Sequence, residues 1–186
     1  MTAANFAASS PDRTTARVRL RPTMTSDLAF VLSLEHDPEN LAFITPWQRT
    51  QHEAAIRFPD FRHFIVEGGE HLDAVGFVIL IGCRSPHQSL ELKRMVVQAK
   101  GSGFGRAALR VAKKVAFDDL GAHRFWLDVK ARNSRAKALY DSEGFVVEGE
   151  LRDAVKVADG YDTLIVMSML RPEFAGRRSL GLELRG

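Results

Sequence analysis

The segment Met95-Val96-Val97-Gln98-Ala99-Lys100-Gly101-Ser102-Gly103-Phe104-Gly105-Arg106 restricts this chain more than any other, because three glycines alternate between a predicted strand and a predicted helix. Glycine takes positive φ at little cost and has no Cβ to keep a ligand away from backbone N–H groups. In the run that follows, to about Asp119, Ala108, Val111, Ala112, Val115 and Ala116 recur at helical spacing. Arg110, Lys113, Lys114 and Asp118 fall between them, so one face is buried and the other solvated. The first turn of such a helix carries four N–H groups without intrahelical partners at the positive end of its dipole, which together favour a pyrophosphate.

Strand, glycine loop and helix in this order fit three nucleotide-binding arrangements. The P-loop needs four residues between its glycines and then Gly-Lys-Ser/Thr, which this sequence lacks. A dinucleotide fingerprint is a closer rival, since the next predicted strand, Arg124 to Val129, holds Asp128 near the distance of a ribose-binding carboxylate. Its glycines are misplaced, however: Gly101, Gly103 and Gly105 spell GxGxG instead of GxGxxG, and about ninety mostly strand-like residues precede the loop. In the third arrangement, Lys100-Gly101-Ser102-Gly103-Phe104-Gly105 resembles the coenzyme A loop of the GNAT superfamily of N-acetyltransferases, Arg/Gln-x-x-Gly-x-Gly/Ala, with lysine at the first position.

A second signature makes that resemblance specific. Asn133-Ser134-Arg135-Ala136-Lys137-Ala138-Leu139-Tyr140-Asp141-Ser142-Glu143-Gly144-Phe145 resembles the GNAT pattern Asn-x-x-Ala-x-x-x-Tyr-x-x-x-Gly-Phe at the right distance beyond the loop. The likeness covers about Arg17 to Leu170. Smaller features resemble the branch holding ribosomal-protein N-terminal and spermidine-type acetyltransferases. They are Glu91-Leu92, Gly121-Ala122-His123-Arg124, Leu151-Arg152-Asp153 and Gly160-Tyr161-Asp162 before Val166-Met167-Ser168. The resemblance implies an α+β GNAT fold: a mixed, mostly antiparallel seven-stranded sheet flanked by about four helices, transferring acetyl from acetyl-CoA to a primary amine, either a protein N-terminus or a small-molecule amine. A non-catalytic acyl-CoA-binding regulatory protein is the alternative, and a dinucleotide oxidoreductase is a third reading that predicts stabilisation by NAD.

The family pattern also assigns roles. Lys100, Gly101, Ser102, Gly103, Phe104, Gly105 and Arg106 would hold the cofactor, and backbone N–H groups of Met95, Val96 and Val97 would bind its pantetheine arm and polarise the thioester carbonyl at a bulge. Asn133 would either cap the last helix or bond that arm. The resemblance points Tyr140 at the thioester sulfur, where a phenol with an ordinary pKa of about 10 donates to a departing thiolate; a buried structural tyrosine is the rival reading. An α-amine with pKa about 8 is already partly neutral at pH 7, whereas deprotonating a lysine-like amine of pKa about 10.4 costs about 4.6 kcal/mol, so a base helps the second more. Glu91, four residues before Met95, is the candidate base; Glu67 and Asp128 are weaker ones, and His63 and His123 read as structural or surface groups.

Composition narrows the setting. A chain of 186 residues, 45% hydrophobic and 26% charged, suits one domain with its own core. The single cysteine, Cys83, lies in an apolar strand-like run and reads as an inert buried thiol. No apolar run reaches the roughly 18 residues of a membrane helix and no secretory leader is evident, so a cytoplasmic protein without a membrane partner is expected. A net charge of +3 is spread along the chain, which argues against nucleic acid. Scattered histidines give no metal site.

In order, Met1 to about Ala16 reads as a disordered leader and residues 17–170 as the catalytic domain. Arg17–Arg21 is a first strand; Ser26 then N-caps a helix from Asp27 to Glu35. A proline-bounded loop, His36 to Trp47, carries Phe43, Ile44 and Trp47 beside Asp37 and Glu39, as the wall of an amine pocket would. A helix over Gln51–Phe58 precedes three meander strands, His63–Glu67, Ala74–Cys83 and Leu90–Val97. After the loop and its helix come a strand from Arg124, a helix over Ser134–Glu143, and a hairpin of Phe145–Leu151 with Tyr161–Leu170 around the turn Arg152–Gly160. The tail, 171–186, is expected to be disordered or to form an added strand or an arm at a homodimer contact.

Overall fold

The structure, a computed structural model, describes residues 17–182; the expected leader lies outside the described residues. One seven-stranded sheet runs in the order β1-β2-β3-β4-β5-β7-β6. Its strands are β1 (Val18–Pro22), β2 (Phe61–Gly68), β3 (Asp73–Ile81), β4 (Ser89–Val97), β5 (Arg124–Lys130), β6 (Val146–Val157) and β7 (Gly160–Leu170). Every neighbouring pair is antiparallel except β4 and β5, joined by a crossover through the glycine loop and α4 (Phe104–Lys114). The mixed, mostly antiparallel sheet expected from the sequence is therefore present.

Helices cover both faces. Against one lie α4 and α5 (Ser134–Ser142), whose alanines and Leu109 pack on Leu92, Leu127, Met167 and their neighbours. Against the other, α1 (Leu28–Glu35) sets Val31 and Leu34 on Ile65, Phe77, Ile79 and Val96. Between them in sequence stand α2 (Pro38–Leu41), capped by the Asp37 side chain, and α3 (Arg49–Arg57).

Four expectations are corrected. Ser26 is not a cap: Thr25–Asp27 forms a 3₁₀ turn, and the Met24 N–H donates to Asp27 Oδ2 at 2.8 Å. The stretch Arg152–Gly160 is mostly strand, because β6 continues to Val157 and pairs Val155 with Asp162 past an irregularity. The tail is neither disordered nor a strand as far as it is described. Arg171–Ser179 forms α6, because Glu173 accepts the Leu170 N–H and Phe174 stacks on Phe117 at 4.7 Å between ring centres. With α6 and the short α2, six α-helices rather than about four flank the sheet among the described residues.

Candidate functional site

The cleft forms where β4 and β5 part. Their parallel pairing covers only Ser89–Glu91 against Arg124–Trp126, whereas β3 stays paired with β4 as far as Val97. From Leu92 onward the other edge of β4 has no strand beside it, so its backbone groups face the gap. Gly76 makes this geometry attainable: a Cβ there would lie 2.3 Å from the Val96 carbonyl oxygen. The irregularity in β4 falls at Lys93, where Ile79 pairs with Arg94 and Leu80 with Leu92, upstream of the expected Val96–Val97. The resulting cleft has a volume of about 990 Å³.

At one end stands the glycine loop. Gly103 caps α4 with φ +90°, a conformation that side-chain-bearing residues rarely adopt, and this aims the first turn of an 11-residue helix at the cleft. Four cationic side chains, Lys100, Arg106, Arg110 and Arg135, share the lining. Two of them are held from behind by Glu143, which is fully buried and receives Arg106 at 2.5 Å, Arg110 at 3.0 Å and Lys113 at 3.1 Å. Burial works against the Glu143 charge, but hydrogen bonds from Arg110 and the nearby Lys113 and Arg106 keep its carboxyl below the usual range. Orphan N–H groups ringed by fixed cations fit the several phosphate charges of coenzyme A.

Met95, Val96 and Val97 line the middle of the cleft with Asn133 and Tyr140. Asn133 caps α5, its Oδ1 accepting the Ala136 N–H at 3.2 Å, while it also borders the cleft. Tyr140 is nearly buried and its hydroxyl makes no hydrogen bond among the described residues. Burial, reinforced by the Asp128 charge, pushes its pKa up to about 12, so it stays protonated at neutral pH. Of the expected cofactor and catalytic residues, Phe104 and Glu91 are not in the lining. The Phe104 ring packs toward Gly68, and Glu91 sits where β4 and β5 are still paired, 3.0 Å from Lys93.

The far wall consists of Asn40, Phe43 and Ile44, held in place by a buried polar cluster that the sequence reading did not single out. Arg94 reaches back from β4 to bond Glu35, gives an N–H to the Thr45 carbonyl at 2.9 Å, and lies over the Trp47 ring at 5.1 Å. Glu35, fully buried, also accepts the Trp47 N–H at 2.5 Å. Behind it, His52 Nε2 stands 3.3 Å from Glu35 Oε2, His52 Nδ1 is 3.0 Å from His63 Nε2, and His63 Nδ1 is 2.9 Å from Thr23 Oγ1. Hydroxyl to His63, His63 to His52 and His52 toward Glu35 is the donor order that keeps both rings neutral. Burial, with the neighbouring His52, pushes His63 down to about 4. His63 is thus structural, as expected, and His123 is exposed. Arg94, an arginine between the core residues Leu92 and Val96, was the available signal.

Residues 17–146 match the family model described as acetyltransferase (GNAT) domain. Spermidine N(1)-acetyltransferase of Vibrio cholerae serotype O1 is 25% identical over 173 residues, covering 87% of this chain and 98% of that protein. The Escherichia coli K12 enzyme of the same name is 27% identical over 169 residues, covering 84% and 88%. A crystal structure of spermidine N-acetyltransferase from Vibrio cholerae in complex with CoA and spermine superposes with a TM-score of 0.77 at 25% identity, covering 85% of this chain and 98% of that one.

Proposed function

The chain belongs to the GNAT acetyltransferase family and transfers an acetyl group from acetyl-CoA to an amine, and within that activity we propose the residues that do the work. When bound, acetyl-CoA supplies the acetyl group as a thioester whose transfer to an amine releases a thiol. Gly101–Arg106, with Arg110 and Arg135, bind the phosphates; the free edge of β4 at Met95–Val97 takes the pantetheine arm; Tyr140 is the general acid. The observation that carries this reading is Tyr140, which is nearly buried yet lines the cleft beside Met95–Val97, with a hydroxyl that makes no hydrogen bond among the described residues.

The acceptor is a primary amine entering past Phe43 and Ile44. Glu91, engaged by Lys93 outside the cleft, is not assigned the base, and for an α-amine of pKa about 8 none is required. Residues 17–170 form the catalytic unit, with α6 docked upon it. Free-thiol release from acetyl-CoA across a panel of primary amines tests the reading. Amine-dependent release is expected; coenzyme A binding without any such release would make the chain a non-catalytic acyl-CoA-binding protein.

A further inference from the structure

The irregularity at Lys93 changes which face of the sheet the side chains of β4 take. Leu90 and Leu92 belong to the core under α4 and α5, as does Leu80, the β3 partner of Leu92. Arg94 and Val96 should follow them, because side chains alternate along a strand. They do not: Val96 joins Ile65, Phe77 and Ile79 in the core under α1, while Met95 packs on the α4 side. The extra residue at Lys93, opposite the step from Ile79 to Leu80, reverses the alternation. Arg94, paired with Ile79, is thereby delivered to the acceptor side.

There its guanidinium is nearly sealed, with 8% of the side chain exposed, and every part of it is used. Nη1 bonds the buried Glu35, Nη2 donates to the Thr45 carbonyl at 2.9 Å, and the plane lies over the Trp47 ring. Glu35 in turn accepts the Trp47 N–H at 2.5 Å. The segment held in this way is the wall of the cleft, and it bridges the parted strands. At its start the Ala42 carbonyl is tied to the end of β5 by Arg132 at 2.7 Å and Lys130 at 3.3 Å. At its finish Arg94 ties it to β4, one residue before the stretch Met95–Val97 that borders the cleft.

We propose that Arg94 is the positioning residue for the acceptor: by holding Thr45 and Trp47 to the strand that also carries Met95–Val97, it sets where the Phe43–Ile44 wall stands relative to the thioester. This rests on the acetyltransferase reading and deepens it. Arg94 is not in the lining and acts through residues 43–47. Stability alone does not require the pair, since apolar residues of similar volume often replace a buried ion pair without loss. Lysine is no substitute, because an ammonium is a point charge that can answer Glu35 without also forking to Thr45 and lying flat on Trp47.

Hexylamine, spermidine and a peptide beginning with alanine are the probes, each followed by free-thiol release from acetyl-CoA. For the one that the parent acetylates fastest, Arg94→Lys should raise the amine KM at least fivefold and leave the acetyl-CoA KM within twofold. Its melting temperature should stay near that of the parent, because Glu35 keeps a cation. Arg94→Met should lower the melting temperature steeply by leaving Glu35 buried and uncompensated; adding Glu35→Gln should restore the melting temperature but not the amine KM. An amine KM that is unchanged in Arg94→Lys or recovered in the double variant, or an equal rise in both KM values, overturns the positioning role and leaves the acetyltransferase reading intact. No amine-dependent release by the parent with any probe or with the wider panel, while acetyl-CoA still raises the melting temperature, removes both readings.

Discussion

The two ends of the cleft are built in different ways. At the cofactor end, one contiguous loop and the start of one helix present backbone N–H groups, and the side chains that assist, Arg106 and Arg110, are oriented by Glu143, the residue that closes the helix bearing Tyr140. At the acceptor end the wall is held by side chains that come together from distant parts of the chain: Glu35 and Arg94 lie 59 positions apart, and Thr45, Trp47, His52 and His63 fall between them. Backbone recognition tolerates change in most side chains, whereas a buried ion pair with histidines behind it depends on each member and on pH. The first arrangement suits a cofactor common to a whole family; the second allows one family to vary its acceptor.

The largest contrast should come from Gly103→Val. A valine would have to adopt φ near +90° at the cap of α4 and place its branches in the phosphate path. Acetyl-CoA should then cause no rise in melting temperature, while the near-ultraviolet signal of the aromatic side chains stays as in the parent, because the packing around Trp47 is made by Glu35, Arg94, His52 and Phe61. A retained acetyl-CoA shift would show that the two ends are not divided as described.

Acid should act on the acceptor end first. The folded-state pKa of His63 is about 4 against 6.5 for the exposed group, so the unfolded chain binds more protons between these values. The stability associated with keeping His63 neutral is thus complete above pH 6.5 and is lost as pH falls toward 4. Full titration amounts to on the order of 3 kcal/mol. Glu35 and Glu143, both held below the usual carboxylate range, add a further loss at still lower pH. Chemical denaturation at pH 7 and pH 4.5 should show the decline, and hydrogen exchange should show residues 42–48 opening before β5. Equal stability at the two values would remove the histidine chain as the acid-sensitive part.

Tyr140→Phe ranks next. Losing a general acid lowers kcat by about 10²-fold, equivalent to about 2.7 kcal/mol, with the acetyl-CoA KM little changed. Equal losses in binding and turnover would make the hydroxyl a packing group of the cofactor end.

The contrast between the ends also explains what could be read in advance. The strands themselves, the meander, the closing hairpin and the glycine loop follow from local patterns, since alternation, helical spacing and glycine punctuation act over a few residues. Tyr140 and Asn133 were legible because they share one helix with fixed spacing. Nothing local pairs Glu35 with Arg94, or Glu143 with Arg106, Arg110 and Lys113; those contacts exist only after α1 docks on the sheet and α5 docks beside α4. Glu91 misled because four positions of strand separate it from Met95, and the parting of β4 from β5 begins only after it. The tail misled because Phe174 makes a helix out of residues 171–179 by stacking on Phe117, a contact no window of the tail contains.

The smallest predicted effect decides which end of this contrast Asn133 serves. Its Oδ1 caps α5 through a 3.2 Å bond to the Ala136 N–H, and its amide nitrogen is left over on a residue that borders the cleft. Removing a cap costs about 1 kcal/mol, and the length of this bond argues for no more than that. Asn133→Ala should therefore lower the melting temperature by a few degrees. Asn133→Ser restores a capping oxygen without the amide, so the two roles separate: if the residue only caps, serine recovers both stability and the acetyl-CoA KM. If the amide also bonds the pantetheine arm, serine recovers stability alone and the acetyl-CoA KM stays several-fold high, with the KM of the amine acceptor unchanged in both variants. A rise in the KM of the amine acceptor instead would move Asn133 to the acceptor end and blur the boundary between the two halves at the residue that opens α5.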